Sequence, residues 1–313
     1  GQLPLSRGQR WLVAGLCLAN PMVPFLASSL NPDAVHVPLM VLGLVYGYVV
    51  LLEGRRRRAL FVVLLLAAWT KSSGVLTMAT LGAMAGLLVA GRHVPWRHAV
   101  DRLRPVLAAG IVAHLTTSMW APLTLYGQQR EFGLGQYWDY LVTYGWRRWV
   151  SFWGMPGWLD YQAPDGFYLA LAWVLAANGL LALPWLRRDW RRAGPASFLA
   201  IASLVFIAGA MASEFLYLIR AGLNFQGRYL LPAMVGVAAL ALHRWRSVRL
   251  ALLGTLIALH LALAHRSVTR YYDAAATWCA SLPWIGAWCE GDPADGPAPS
   301  PLPGLPACSV AGR

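Results

Sequence analysis

The chain has 313 residues, 58% of them hydrophobic, a mean hydropathy of +0.50 and a formal net charge of +13. Soluble domains are nearer about 45–50% apolar, so an ordinary soluble domain is excluded as the main architecture. Nucleic-acid binding is disfavoured as the meaning of the charge, because the arginines stand in short clusters between apolar runs, the pattern that orients membrane helices.

Arg7 and Arg10 precede a first apolar run over 11–29, and "NPDAVH" leads into a second over 37–52. "RRRR" at 55–58 ends that run. Next comes 59–90, long and interrupted by "WTKSSG", and after it the basic loop "GRHVPWRHAVDRLR". A run over 105–122 precedes a stretch over 123–166 dense in Trp and Tyr. Apolar runs over 167–186, 196–213, 229–242 and 250–264 follow. Runs of this length suit helices crossing about 30 Å of hydrocarbon, and lipid admits only helices or closed barrels as spanning structures. The runs are continuous rather than alternating. The expected fold is therefore all-α: a polytopic transmembrane bundle of 8–9 segments over 1–265, with an extracytoplasmic segment 266–290 and a disordered Pro/Gly-rich tail 291–313.

Charge sets the sides. If the N-terminus is cytoplasmic and 59–90 forms a broken helical hairpin returning to its own side, 17 of the 26 basic residues fall inside. A single crossing there would scatter the later clusters. The N-terminus is then inside and the C-terminus outside, and the 25 Arg against a single Lys suit a GC-rich bacterial genome, so the expected location is a bacterial inner membrane. Cys279, Cys289 and Cys308 are then extracytoplasmic, and Cys279–Cys289 suits a disulfide in an oxidising compartment.

Ionisable groups at membrane depth are candidates for function. Lys71, the single lysine of the chain, sits at the hairpin break beside Ser72, Ser73 and Gly74, whose N–H groups suit an anion. The alternative is a lysine snorkelling to the interface. In "NFQGRYLLPAM", Gln226, Gly227, Arg228 and Tyr229 abut an apolar run; Arg is suited to bidentate phosphate contacts. Asp33 and Glu214 lie at outer ends of helices as candidate general bases or as carriers of a divalent cation on a phosphate leaving group. For Asp33 the alternative is a helix cap; for Glu214 it is a pair with Arg220 or Arg228. Rings of the outer loop, Trp153 and Trp158 among them with Asp160, suit either a membrane-interface belt or stacking on sugars. No Gly-rich nucleotide loop follows a strand.

"LNPDA", "KSSG", "SFWGMPGWLD" and "QGRYLLPAM", in that order, resemble a bacterial family of predicted membrane proteins (domain of unknown function 2142) that is grouped with the GT-C glycosyltransferases. The resemblance covers about 10–264. It implies a GT-C-like transferase taking sugar from a polyprenyl-phosphate donor on the outer face, with a glycan, lipid or protein acceptor. It also implies a catalytic acid in a first outer loop; the expectation is that this acid lies upstream of Gly1 or that the protein is inactive. "WGMPGW" stands where the family pattern has an arginine. The alternatives are a transporter or flippase of lipid-linked or small anionic substrates, suggested by the broken helix, and a non-catalytic protein of envelope assembly.

Overall fold

A computed structural model describes residues 5–18, 20–23, 32–116, 133–154, 163–221, 227–242 and 246–281, with side chains for all of these except 216–221, 227–229, 246–248 and 267–281. Every regular element among them is helical. The chain divides into two compact units, Gly1–His260 and Leu261–Arg313.

In the first unit, α1 (Arg7–Leu18) opens on a capping box: Gln9 N–H donates to Ser6 Oγ at 3.2 Å, and Ser6 N–H to Gln9 Oε1 at 2.9 Å. α2 (Asp33–Tyr48) continues into a π-helical turn, Val49–Glu53, and stops at Gly54 in the left-handed region (φ 72°). The last carbonyls of this segment would lack partners in a helix end. Arg102 supplies one: its Nη1 donates to Leu51 O at 2.7 Å and Leu52 O at 3.1 Å.

The expected hairpin is present, with its break where expected. α3 (Arg57–Thr70) ends at Lys71, which is extended; Ser72–Gly74 form a 3-10 turn, and α4 (Val75–Ala90) returns. Gly74 is obligatory for size, because a Cβ there would come within 2.6 Å of the Ala67 carbonyl carbon. α4 also packs closely on α2: a Cβ at Gly43 would meet Thr77 Cγ2 at 2.8 Å, and one at Gly47 would meet Leu81. Small residues spaced by four allow such approach between apolar helices in lipid.

α5 (Trp96–Thr116) packs on α3 and α4. α6 (Leu134–Gly154) occupies much of what the sequence presents as an outer loop. α7 (Asp165–Arg191) and α8 (Pro195–Ala221) form the next pair. The run expected over 229–242 is not one helix but a 3-10 turn, Gly227–Ala233, followed by a short α9 (Met234–Leu240). Pro232 explains the division, since proline removes an intrahelical N–H. α10 (Arg246–Ser281) is longer than the apolar run inside it. In the second unit the described residues are the part of this helix from Leu261 to Ser281.

Five helical segments are long and apolar enough to cross a membrane: Asp33–Glu53, Ser72–Ala90, Asp165–Arg191, Pro195–Phe215 and Arg249–Arg266. The chain is thus a helical membrane protein. The arginine-bearing loops of the first unit meet at one end of the bundle. Arg57 pairs with Asp101 at 2.5 Å, the His93 and Trp190 rings meet edge-on at 4.9 Å, and Tyr48 OH donates to Ala193 O at 3.3 Å. Asp33 begins a 21-residue helical segment that ends beside this cluster, so it stands about 30 Å away at the opposite end. α3 has 14 residues and rises about 21 Å. This arm is shorter than the roughly 30 Å of a hydrocarbon layer.

Candidate functional site

Two buried ion pairs mark the end of the bundle remote from the arginines. The first is at the hairpin break. Lys71 Nζ lies 2.7 Å from Asp33 Oδ1; the lysine is 31% exposed and the acid 3%. Burying a lone carboxylate is costly, and a paired ammonium offsets that cost. Asp33 is thus not the expected helix cap: the N-cap position is Pro32, without a side-chain bond, and the Asp33 carboxylate turns to α3 instead. Nor does Lys71 simply reach for the interface.

One turn further along α2, His36 is buried. Its Nδ1 lies 3.1 Å from Ala67 O and its Nε2 2.8 Å from Ser73 Oγ. Asp33, His36, Lys71 and Ser73 therefore converge around the break. Sequence reading passed over His36, although its spacing of three from Asp33 places both on one helical face.

Asp33 also lines a cavity of about 180 Å³, whose other walls are Cys17, Val23, Ala34, Val37, Pro38, Val41, Leu231 and Met234. Cys17 belongs to α1, the acid to α2, and Leu231 and Met234 to the "QGRYLLPAM" segment. Apart from Asp33 the lining side chains are apolar or weakly polar. The single carboxylate thus faces an apolar cavity wall.

The second pair is Arg148 Nη2 to Glu214 Oε1 at 2.7 Å, both side chains 8% exposed. Tyr137 OH donates to Met211 O at 2.8 Å and lies 3.2 Å from Glu214 Oε2. The Arg148 guanidinium sits 5.6 Å from the Tyr140 ring centroid. Burial, and after it the Glu214 carboxylate, push the Tyr137 and Tyr140 phenols up to about 12. Glu214 therefore has a buried partner, Arg148; the side chains of Arg220 and Arg228 lie outside the described residues. The spacing Tyr137, Tyr140, Tyr144, Arg148 lays these side chains along one face of α6, a signal available in the sequence.

The 3-10 turn Gly227–Ala233 packs against α2, α6 and α8, between the elements that carry the two ion pairs. The side chains of Arg228 and Tyr229, and the whole of Gln226, Trp158 and Asp160, lie outside the described residues. The Cys279 side chain, Cys289 and Cys308 lie outside them too. Trp153 is a correction. Its side chain is fully buried, edge-on to Trp149 at 5.4 Å and Phe152 at 4.8 Å. A ring enclosed on both faces packs the end of α6 and offers no surface to a sugar.

That end is held from two sides. Asn20, fully buried, donates through Nδ2 to Phe152 O at 3.2 Å and accepts from Met22 N–H at 2.9 Å. Tyr168 OH donates to Gly154 O at 2.6 Å and accepts from Ala163 N–H at 3.1 Å.

Among the described residues no three His, Cys, Asp or Glu side chains gather as a metal site. At the break, Asp33 already faces an ammonium, so the described residues present no ligand set for the divalent cation considered above. Compared with family models, with curated proteins and with solved structures, the chain matches none.

Proposed function

We propose that this membrane protein is a GT-C-like glycosyltransferase, which takes a sugar from a polyprenyl-phosphate donor at the end of the bundle remote from the arginine loops. In this reading that end faces the outside of the bacterial inner membrane. The observation that carries the reading is Asp33: a buried carboxylate, held by Lys71, on the wall of an otherwise apolar cavity.

The chemistry suits those groups. The acceptor hydroxyl attacks the anomeric carbon, the bond to the lipid phosphate breaks, and the phosphate leaves with the electron pair. Asp33 receives the hydroxyl proton as general base. The Lys71 ammonium favours an anionic leaving group close by. The apolar walls formed by Val37, Pro38, Val41, Leu231 and Met234 suit isoprenoid units. Arg228 completes the proposed phosphate contact, since the turn that bears it adjoins α2. Glu214, spent on Arg148, becomes the less favoured base.

The test is turnover of a panel of radiolabelled polyprenyl-phosphate sugars by membranes containing the protein. At least one donor should be consumed, and Asp33→Asn should slow its turnover by about 10²–10⁴-fold. If the folded protein consumes no donor, the reading is lost.

The second reading, a transporter or flippase of lipid-linked or small anionic substrates, is favoured by the helix broken at Lys71. Broken helices place charge and exposed backbone at a substrate site in many transporters. Uptake into proteoliposomes without loss of the sugar would select it.

A further inference from the structure

The glycosyl-transfer reading leaves one pair of side chains unused. Ser73 Oγ lies 2.8 Å from His36 Nε2, and His36 Nδ1 lies 3.1 Å from the Ala67 carbonyl oxygen. A carbonyl oxygen only accepts hydrogen bonds, so Nδ1 carries a proton. In the neutral ring Nε2 then holds the lone pair, and the Ser73 hydroxyl donates to it. This is the tautomer that a base must have to take a proton from a hydroxyl. The ring is 3% exposed, and the carbonyl of α3 fixes its orientation, which is the role of a third group beside a nucleophile and its base.

Two further features favour bond-making at Ser73. Ser72 and Ser73 open the 19-residue helical segment Ser72–Ala90. Their N–H groups belong to its first turn, where no carbonyl of the same helix lies behind them. Such groups suit a developing oxyanion. Ser73 is half-buried and Ser72 beside it is exposed, so the break is not sealed inside the bundle.

We propose that Ser73 is a nucleophile activated by His36, and that it accepts an acyl group from a lipid ester. The Ser73 oxygen bonds to the ester carbonyl carbon while its proton passes to His36 Nε2, and the carbonyl electron pair moves onto oxygen. Collapse breaks the carbon–oxygen bond to the alcohol, which leaves with the proton from His36. The acyl group then rests on Ser73. Water or a second alcohol attacks it by the same steps and restores the hydroxyl; nothing is oxidised or reduced.

The substrate class follows from place. The break lies about 21 Å along α3 from the arginine end, a rise smaller than the roughly 30 Å of a hydrocarbon layer. The last turns of α3 present Leu66 and Trp69, 41% and 49% exposed, beside it. Such an apolar surface suits an ester that carries a lipid tail. The inference goes beyond the glycosyl-transfer reading and does not need a sugar donor, Arg228 or the Asp33 carboxylate as base.

The experiment is labelling with an alkyl fluorophosphonate in membranes, with the modified residue located by mass spectrometry. This reagent phosphonylates a serine whose oxygen acts as a nucleophile. The wild-type chain should be labelled at Ser73. Ser73→Ala should abolish the label, and His36→Ala should lower the rate by about 10²-fold or more. Mapping on the wild-type chain decides the matter even where a variant does not fold. A folded wild-type chain without label at saturating reagent, a label on another residue only, or an unchanged rate in His36→Ala overturns the proposal.

Discussion

Lys71 and Asp33, 38 positions apart in the chain, meet at 2.7 Å and join α2 to the broken hairpin. The two ends of the pair are unequal, because the acid is 3% exposed and the lysine 31%. Removing the lysine deprives a buried carboxylate of its cation. Removing the acid leaves an ammonium with access to water. Lys71→Met should therefore cost about 1–3 kcal/mol, and Asp33→Asn less than about 1 kcal/mol. Denaturant titration in mixed micelles ranks the two, and the reverse order would contradict this account of the pair.

Arg148 and Glu214 are equally enclosed. Breaking such a pair from either side leaves a buried charge, at a cost of about 3–5 kcal/mol. Arg148→Met and Glu214→Gln should each show it. The double variant should be more stable than the sum of the two losses implies, because no charge is then left behind. A double-mutant cycle measures the difference; simple additivity would show that the pair is not the source of the cost.

Gly74 and Gly86 are both in the returning arm but differ in surroundings. A Cβ at Gly74 meets the backbone of Ala67 and Ala68 at 2.6–2.7 Å, whereas nothing lies within 4 Å of one at Gly86. Gly74→Ala should destabilise by about 1–3 kcal/mol through overpacking. Gly86→Ala should be neutral or stabilising by up to about 1 kcal/mol, as expected from helix propensity. Thermal unfolding of the two variants separates a tight turn from a general need for glycine.

At the arginine end, Asp101 has its carboxyl held below the ordinary range, first by the hydrogen bond from Arg57 and then by the charges of Arg57, Arg104 and His98. A carboxylate whose folded pKa is depressed adds stability above its unfolded pKa of about 4. That stability is lost as the pH falls through the folded value. The stability of the wild-type chain should fall more steeply below pH 4 than that of Asp101→Asn. Denaturation curves at stepped pH give both slopes, and parallel curves would mean that Arg57 and Asp101 do not hold each other in solution.

Part of this arrangement is legible without coordinates. The hairpin break shows in "WTKSSG", because Lys-Ser-Ser-Gly interrupts an apolar run and the charge balance requires both arms to return. That Asp33 and Lys71 are ionisable groups beside apolar runs is also legible, but not their mutual contact, which depends on how α2 packs against α3. The partner of Glu214 is hidden for the same reason: Arg148 is 66 residues away, in a stretch whose density of Trp and Tyr reads as an outer loop. The 3.6-residue spacing of Tyr137, Tyr140, Tyr144 and Arg148 held that helix in plain view. Trp153 misled because an aromatic ring near an outer loop suits both a ligand and a core, and only burial distinguishes them.

The Tyr168 hydroxyl touches both flanks of the segment 155–162, accepting from Ala163 N–H and donating to Gly154 O. It works as a clasp. Through this one phenol the end of α6 and the residues that open α7 are fastened to each other. Losing the hydroxyl frees a buried carbonyl and a buried N–H at once, so the register between the two helices rests on a single oxygen atom.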